Sequence, residues 1–305
     1  MARAAYELFL LGSREATKGV IAGLVVATVG FAAIAAIRGA FGLPPAGHLL
    51  VIPFGLGTLV GAGLFGLGMS LAGMCAAGTL LRMGEGYAIA WVTLAGMIAA
   101  AVFDPFRAFV PPSWQLQFPG VWLGGRIGGL WAGLFVTAVL AALWKMTNRP
   151  TAAGPASRGS PAPEVVGGVL LGGLNCLQSA LASPWTIAYA YPLALAASLL
   201  SGGPSVTALQ QASPLLALDV GLVAGAFLSS ALRDGFRLRW PRGRKQVIIA
   251  LAGGVLMGWG VQLARGCAIG GVFSALPSLS LSAWLYLPGL LMGSWAGVRL
   301  ISRFA

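Results

Sequence analysis

Long apolar stretches alternate with short polar ones along the whole chain, and a membrane-crossing helix needs about 20 apolar residues. Nine stretches approach that length: Lys18–Ile37, Leu49–Gly68, Tyr87–Phe103, Trp122–Trp144, Val165–Leu181, Trp185–Leu200, Leu215–Leu232, Gln246–Ala264 and Leu281–Leu300. The first follows Arg14 and Lys18 and exceeds the ~7–15-residue core of a signal peptide, so it reads as a retained span. Two shorter Gly-interrupted segments, Ser70–Leu81 and Arg265–Leu276, are too short to cross alone. They read as re-entrant half-helices, which membranes tolerate only where protein or a cavity shields the backbone. The pattern therefore predicts an all-α polytopic membrane protein: about nine transmembrane helices, short re-entrant half-helices and two pseudo-repeated halves.

Polar punctuation divides those halves. Thr147 to Pro163, TNRPTAAGPASRGSPAP, has the Pro, Gly and Ser content of a linker. It separates a first half-repeat, 1–146, from a second, 164–305, and both pack into one membrane domain. A second polar stretch, RDGFRLRWPRGRK from Arg233 to Lys245, is strongly basic and asks for the cytoplasmic side. Lys145, Arg149 and Arg158 ask for the same side, yet three spans lie between the clusters, which leaves both orientations open.

The repeat is carried by residues. Set over one another, GLGMSLAGMCAAGTL (Gly66–Leu80) and GWGVQLARGCAIGGV (Gly258–Val272) share seven ungapped identities at a constant offset of 192, Cys75 with Cys267 among them. Repeated halves that each hold an interrupted hydrophobic segment point to a transporter with its substrate at the repeat interface. A helix that starts inside the membrane offers unpaired N–H groups and a partial positive end, which can solvate an anion where lipid cannot. Gly73, Gly78, Gly266 and Gly270 could permit the turns and the close backbone approach; the competing reading for each is small-residue helix packing.

Composition narrows the choice. The chain is 58% hydrophobic and 9% charged, which excludes a soluble surface, and its 46 glycines follow no collagen period. A net charge of +12 would suggest nucleic acid in a soluble protein, but here the charges flank apolar segments, so no nucleic-acid partner is expected and lipid is. Three cysteines among apolar residues indicate neither a disulfide scaffold nor a metal site, and no cofactor is expected.

Cys176 lies in GGLNCLQSALASP, a third Gly-led segment that ends at Pro184, so the three thiols suggest a line across a narrow pore. A thiol is a weak donor with a soft sulfur, which suits a soft sulfur-bearing anion better than phosphate. Asn175 and Gln178 bracket Cys176 and, like Gln262 before Cys267, could donate to the anion or join helices. Arg265 could support a thiolate or simply snorkel to the interface. Arg82 and Glu85 could contact cargo or pair to hold a loop.

At these stretches, GLGMSLAGMCAAGTLLRMGEG, GGLNCLQSA and GWGVQLARGCAIGG, the chain resembles the YeeE/YedE family of sulfur-compound transporters. The resemblance implies a compact helical protein of nine crossings with extra short helices, a multi-pass protein of the bacterial cytoplasmic (inner) membrane. It implies three pore cysteines, matching Cys75, Cys176 and Cys267, that pass thiosulfate by transient hydrogen bonds without catalysis. A small TusA-like cytoplasmic sulfur carrier is the partner it suggests. Two rival readings are a membrane thiol oxidoreductase or sulfurtransferase carrying a cysteine persulfide, and a structural membrane subunit; the first lacks a Cys-x-x-Cys pair and a nearby His base.

Overall fold

A computed structural model describes residues 2–11, 15–42, 50–51, 53–103, 129–147, 163–182, 206–233, 235–241 and 243–304. The described residues form helices and no strand; Tyr87 and Arg239 meet in an isolated bridge. In chain order they are α1 (Ala2–Tyr6, continued by a π-helical Glu7–Leu11), α2 (Glu15–Ala40), α3 (Leu56–Ala72), α4 (Ala76–Gly84) and α5 (Ala88–Val102). Then follow α6 (Gly129–Thr147), α7 (Pro163–Ala182), α8 (Val206–Leu232), α9 (Arg244–Ala264), a π-helical turn Ile269–Ser274 and α10 (Leu281–Phe304). Three runs among the described residues are long and apolar enough to cross a membrane: Glu15–Ala40, Leu56–Gly84 and Arg244–Ser274. The last two contain the repeated Gly-Cys motifs.

Sequence expectation and structure part company at helix ends. The stretch expected from Leu49 starts as a helix only at Leu56, because Pro53 and Gly55 precede it. Ser70–Leu81 is not one re-entrant piece: Ser70 to Ala72 finish α3, and α4 begins at Ala76. In the other repeat, helix resumes in the π form at Ile269. The amino-terminal helix α1 has no counterpart among the expected spans; its Tyr6 hydroxyl donates to the Ser70 carbonyl near the end of α3. The Trp185–Leu200 span and the linker interior lie outside the described residues.

Glycine sets the packing. A Cβ on Gly61 would lie 2.8 Å from the Gly260 carbonyl oxygen, and one on Gly68 would lie 2.5 Å from that of Gly253. This order of contacts runs α3 and α9 antiparallel, and the 192-residue offset exchanges the two pairs with each other. Each helix also carries a parallel neighbour. On α3 this is α10, where Gly289 meets the Leu59 carbonyl; on α9 it is α5, where Gly96 meets the Leu251 carbonyl. Backbones this close maximise dispersion in a medium that supplies no hydrophobic drive between helices.

Between the motif and the following helix the matching offset grows by one residue, from 192 to 193. Ala90-Trp91 answers Ala283-Trp284 at the larger value, and the π-helical turn, which holds more residues per turn than α4, lies within the lengthened stretch. Left-handed backbone recurs at matching offsets, at Gly73 (φ 70) and Arg265 (φ 53), then at Gly86 (φ 89) and Leu279 (φ 56). The outward faces carry Trp91, Phe135, Leu170, Leu228, Ile248 and Met292, all exposed, as lipid-facing side chains should be.

Candidate functional site: two helix breaks headed by cysteine

The first break follows from Gly73. Its left-handed backbone stops α3 with its N–H on the Ser70 carbonyl, and the chain turns through Met74 to Cys75. Extended Cys75 (φ −84, ψ 175) is the N-cap of α4: its Sγ accepts the Gly78 N–H at 3.4 Å, while the Thr79 hydroxyl donates to its carbonyl at 3.0 Å. Sulfur is a weak acceptor, so the first-turn N–H groups of α4 are only loosely engaged. The positive end of the helix converges on the thiol. Among the described residues nothing stands within 4 Å of where a Cβ would lie on Gly73.

The second break repeats this construction with different residues. Arg265, in left-handed backbone, ends α9, and its side chain is exposed; buried Gly266 leads to buried Cys267. The Gly271 N–H donates to the Cys267 carbonyl at 2.7 Å and starts the π-helical turn. Among the described residues nothing lies within 4 Å of a Cβ on Gly270, whereas a Cβ on Gly271 would lie 2.8 Å from the ring of Tyr286. Tyr286 is a residue that no motif singled out. It sits in α10 beyond the Gly-Cys motif, and its only sequence signal is that the position matching it at the 193-residue offset, Thr93, is small.

Cys176 differs from the other two. The third Gly-led segment is expected to be interrupted, but α7 runs unbroken from Pro163 to Ala182 with Cys176 inside it. Its glycines serve packing: a Cβ on Gly172 would lie 2.4 Å from the Gly23 carbonyl oxygen of α2. The Cys176 Sγ stands 3.8 Å from the carbonyl oxygens of both Val26 and Ala27, and a Cβ on Gly30 would strike it. The thiol faces the α2 backbone through a gap that only glycine leaves.

Asn175 links this thiol to the second break. Buried, it donates to the Phe273 carbonyl at 2.8 Å and accepts from the Ser274 hydroxyl at 3.4 Å, both in the π-helical turn. Of its two readings, helix joining is the one seen. Asn175→Ala is expected to lower stability by about 1–3 kcal/mol, since it strands a buried carbonyl and hydroxyl; thermal unfolding in detergent checks this against Asn175→Asp. Gln262 likewise joins helices, donating to the Ala100 carbonyl at 2.9 Å, and Gln178 is half-buried on α7.

Arg82 and Glu85 do not pair. The Arg82 guanidinium lies 5.1 Å from the Tyr87 ring centre, Arg239 lies 4.7 Å from it, and Arg239 also donates to the Tyr87 hydroxyl. Cation–π attraction on a half-buried ring outweighs an exposed ion pair here. Glu85 instead lines a cavity of about 580 Å³ beside α4, shared with Arg233, Arg239, Ser229 and Ser230. It places two arginines beside the helix that Cys75 caps. Among the described residues no group of three His, Cys, Asp or Glu could hold a metal ion.

Residues 1–296 match the profile of a protein family described as sulphur transport. The chain is 28% identical over 278 residues to a thiosulfate transporter TsuA of Spirochaeta thermophila, covering 81% of this chain and 78% of that protein. It is 28% identical over 271 residues to a thiosulfate transporter TsuA of Escherichia coli, covering 81% and 74%. A probable transporter YedE of Salmonella typhimurium is 34% identical over 93 residues, 29% of this chain and 23% of that protein.

Proposed function

The chain belongs to the sulphur transport family, and from that premise we propose that it carries thiosulfate through a path lined by Cys75, Cys267 and Cys176. It is a membrane protein whose family and named relatives are transporters, not enzymes. The observation that carries the proposal is the pair of helix breaks. Each ends a long helix in left-handed backbone and restarts the chain at a cysteine, and at the first the soft sulfur and the Gly78 N–H that it holds only weakly face the same point. That combination suits an anion with one sulfur end and one oxygen end. The backbone supplies fixed partial charge, strong enough to admit the anion and weak enough to release it, where a buried lysine would hold it.

In this reading residues 1–146 and 164–305 are inverted halves joined by the 147–163 linker. The exchanged glycine pairs of antiparallel α3 and α9 and the recurring left-handed positions support it. The protein crosses the bacterial inner membrane several times, and the arginine-lined cavity beside α4 concentrates anions at one mouth of the path. A small sulfur carrier of the TusA type is the candidate acceptor on the cytoplasmic side. The test is uptake of ³⁵S-thiosulfate by bacterial cells that lack their own uptake routes. Accumulation that unlabelled thiosulfate competes away and sulfate does not is the expected result; cells that accumulate no more label than the empty-vector control overturn the proposal.

A further inference from the structure

The second break holds a polar group that its packing does not account for. Tyr286 is 1% exposed, and its hydroxyl has no hydrogen-bond partner among the described residues. A buried phenol without a partner gives up its hydration for nothing. Such groups in native proteins are exceptions that call for an explanation.

The repeat shows that the group is an addition. In the first half the matching position is Thr93, whose hydroxyl is spent on its own helix, donating to the Ile89 carbonyl at 3.1 Å. The residue facing the break there is Thr79, whose hydroxyl serves the Cys75 carbonyl. In the second half Thr79 is replaced by Gly271 and Thr93 by Tyr286, so the ring fills the space that the missing side chain leaves. Phenylalanine would fill that space equally well. A tyrosine hydroxyl, unlike that of threonine, cannot fold back on its own helix, so it extends past the ring. The ring lies against Gly271, four residues after Cys267, which puts the side chain beside the second break. Two residues on, Pro288 removes an N–H from α10, so the helix is also weakened at this level.

We propose that the Tyr286 hydroxyl is a direct hydrogen-bond donor to the transported anion at the Cys267 break, a specificity contact that the first half lacks. The inference rests on the transport reading above and deepens it. The hydroxyl waits unpaired because its partner is the cargo. A neutral donor fits the release requirement as the thiols do: it adds a strong bond to an anion without adding a fixed charge. It also makes the two breaks unequal, with the second holding the anion more tightly.

Tyr286→Phe keeps the ring on Gly271 and removes only the hydroxyl. The expected result is about a tenfold higher KM for thiosulfate uptake, with unchanged membrane abundance and a thermal midpoint in detergent equal to or above the wild type. Thiosulfate at millimolar concentration is expected to raise that midpoint in the wild type and to do so less in the variant. Equal KM and equal thermal shift in the two proteins overturn the tyrosine contact while leaving transport of thiosulfate intact. If the wild type imports no thiosulfate, the transport reading fails separately. The tyrosine contact is then decided by thermal shifts with thiosulfate, sulfite, sulfate and selenite: a shift that is smaller in the Tyr286→Phe variant supports it, and identical responses of the two proteins to all four anions overturn it.

Discussion

Replacing Gly68 by leucine is expected to destabilise the bundle by roughly 3 kcal/mol or more, a larger structural effect than that of any other substitution above. A Cβ at this position would lie 2.5 Å from the Gly253 carbonyl oxygen and 2.7 Å from the Met257 nitrogen. Both are backbone atoms of a packed helix, so neither can swing aside as a side chain tip would. The helices must separate, and the dispersion contacts along the α3–α9 crossing go with them. Both breaks lie at the ends of these two helices, so separating the helices also displaces the breaks. Thermal unfolding in mild detergent checks this, with Gly133→Leu as the control: among the described residues no atom lies within 4 Å of a Cβ on Gly133, so that change is expected to be nearly silent. Equal midpoints for the two variants would show that α3 and α9 do not meet through glycine.

The largest functional effect is expected from serine at the two break cysteines. Cys75→Ser and Cys267→Ser together should lower thiosulfate uptake by about tenfold or more, a loss of at least about 1.4 kcal/mol of cargo stabilisation. The direction follows from the cap. Serine is a better N-cap than cysteine, and its shorter, harder oxygen would hold the Gly78 N–H that the Cys75 sulfur accepts only weakly at 3.4 Å. The donor is then engaged by the protein when the anion arrives, and the soft contact is gone. Stability should stay level or rise, whereas Cys75→Ala loses cap and contact together and should lower both. Full uptake by the double serine variant, with normal abundance, would mean that the sulfurs take no part. Cys176→Ser is expected to act less strongly, since that thiol lies inside an unbroken helix against the α2 backbone.

These two results probe different origins of the same site. The Gly-Cys repeat, the 192-residue offset and the alternation of apolar stretches are properties of the chain itself. They sufficed for an all-α membrane protein and for two Gly-Cys motifs at which helices are interrupted. Apolar length dictates spans because lipid satisfies no backbone group, and glycine beside cysteine dictates a break because left-handed backbone is cheap there. Even so, Arg265 takes the left-handed position that Gly73 holds in the other half, and residue type alone did not announce it.

What the sequence left open was decided by neighbours distant along the chain. Asn175 and Gln262 had two roles each, and the carbonyls of Phe273 and Ala100 assigned both to joining helices. Arg82 and Glu85 could contact cargo or pair with each other, and it is Arg239, more than 150 residues away, that joins Arg82 in enclosing Tyr87. Glycines alike in the sequence separated into those that end a helix, such as Gly73, and those that admit another backbone, such as Gly68 and Gly172. Tyr286 gained its meaning only from the glycine it covers. Local chemistry sets where a chain can bend and what it can offer a ligand; which of those offers stays unpaired depends on the hydrogen-bond partners that tertiary packing brings within reach.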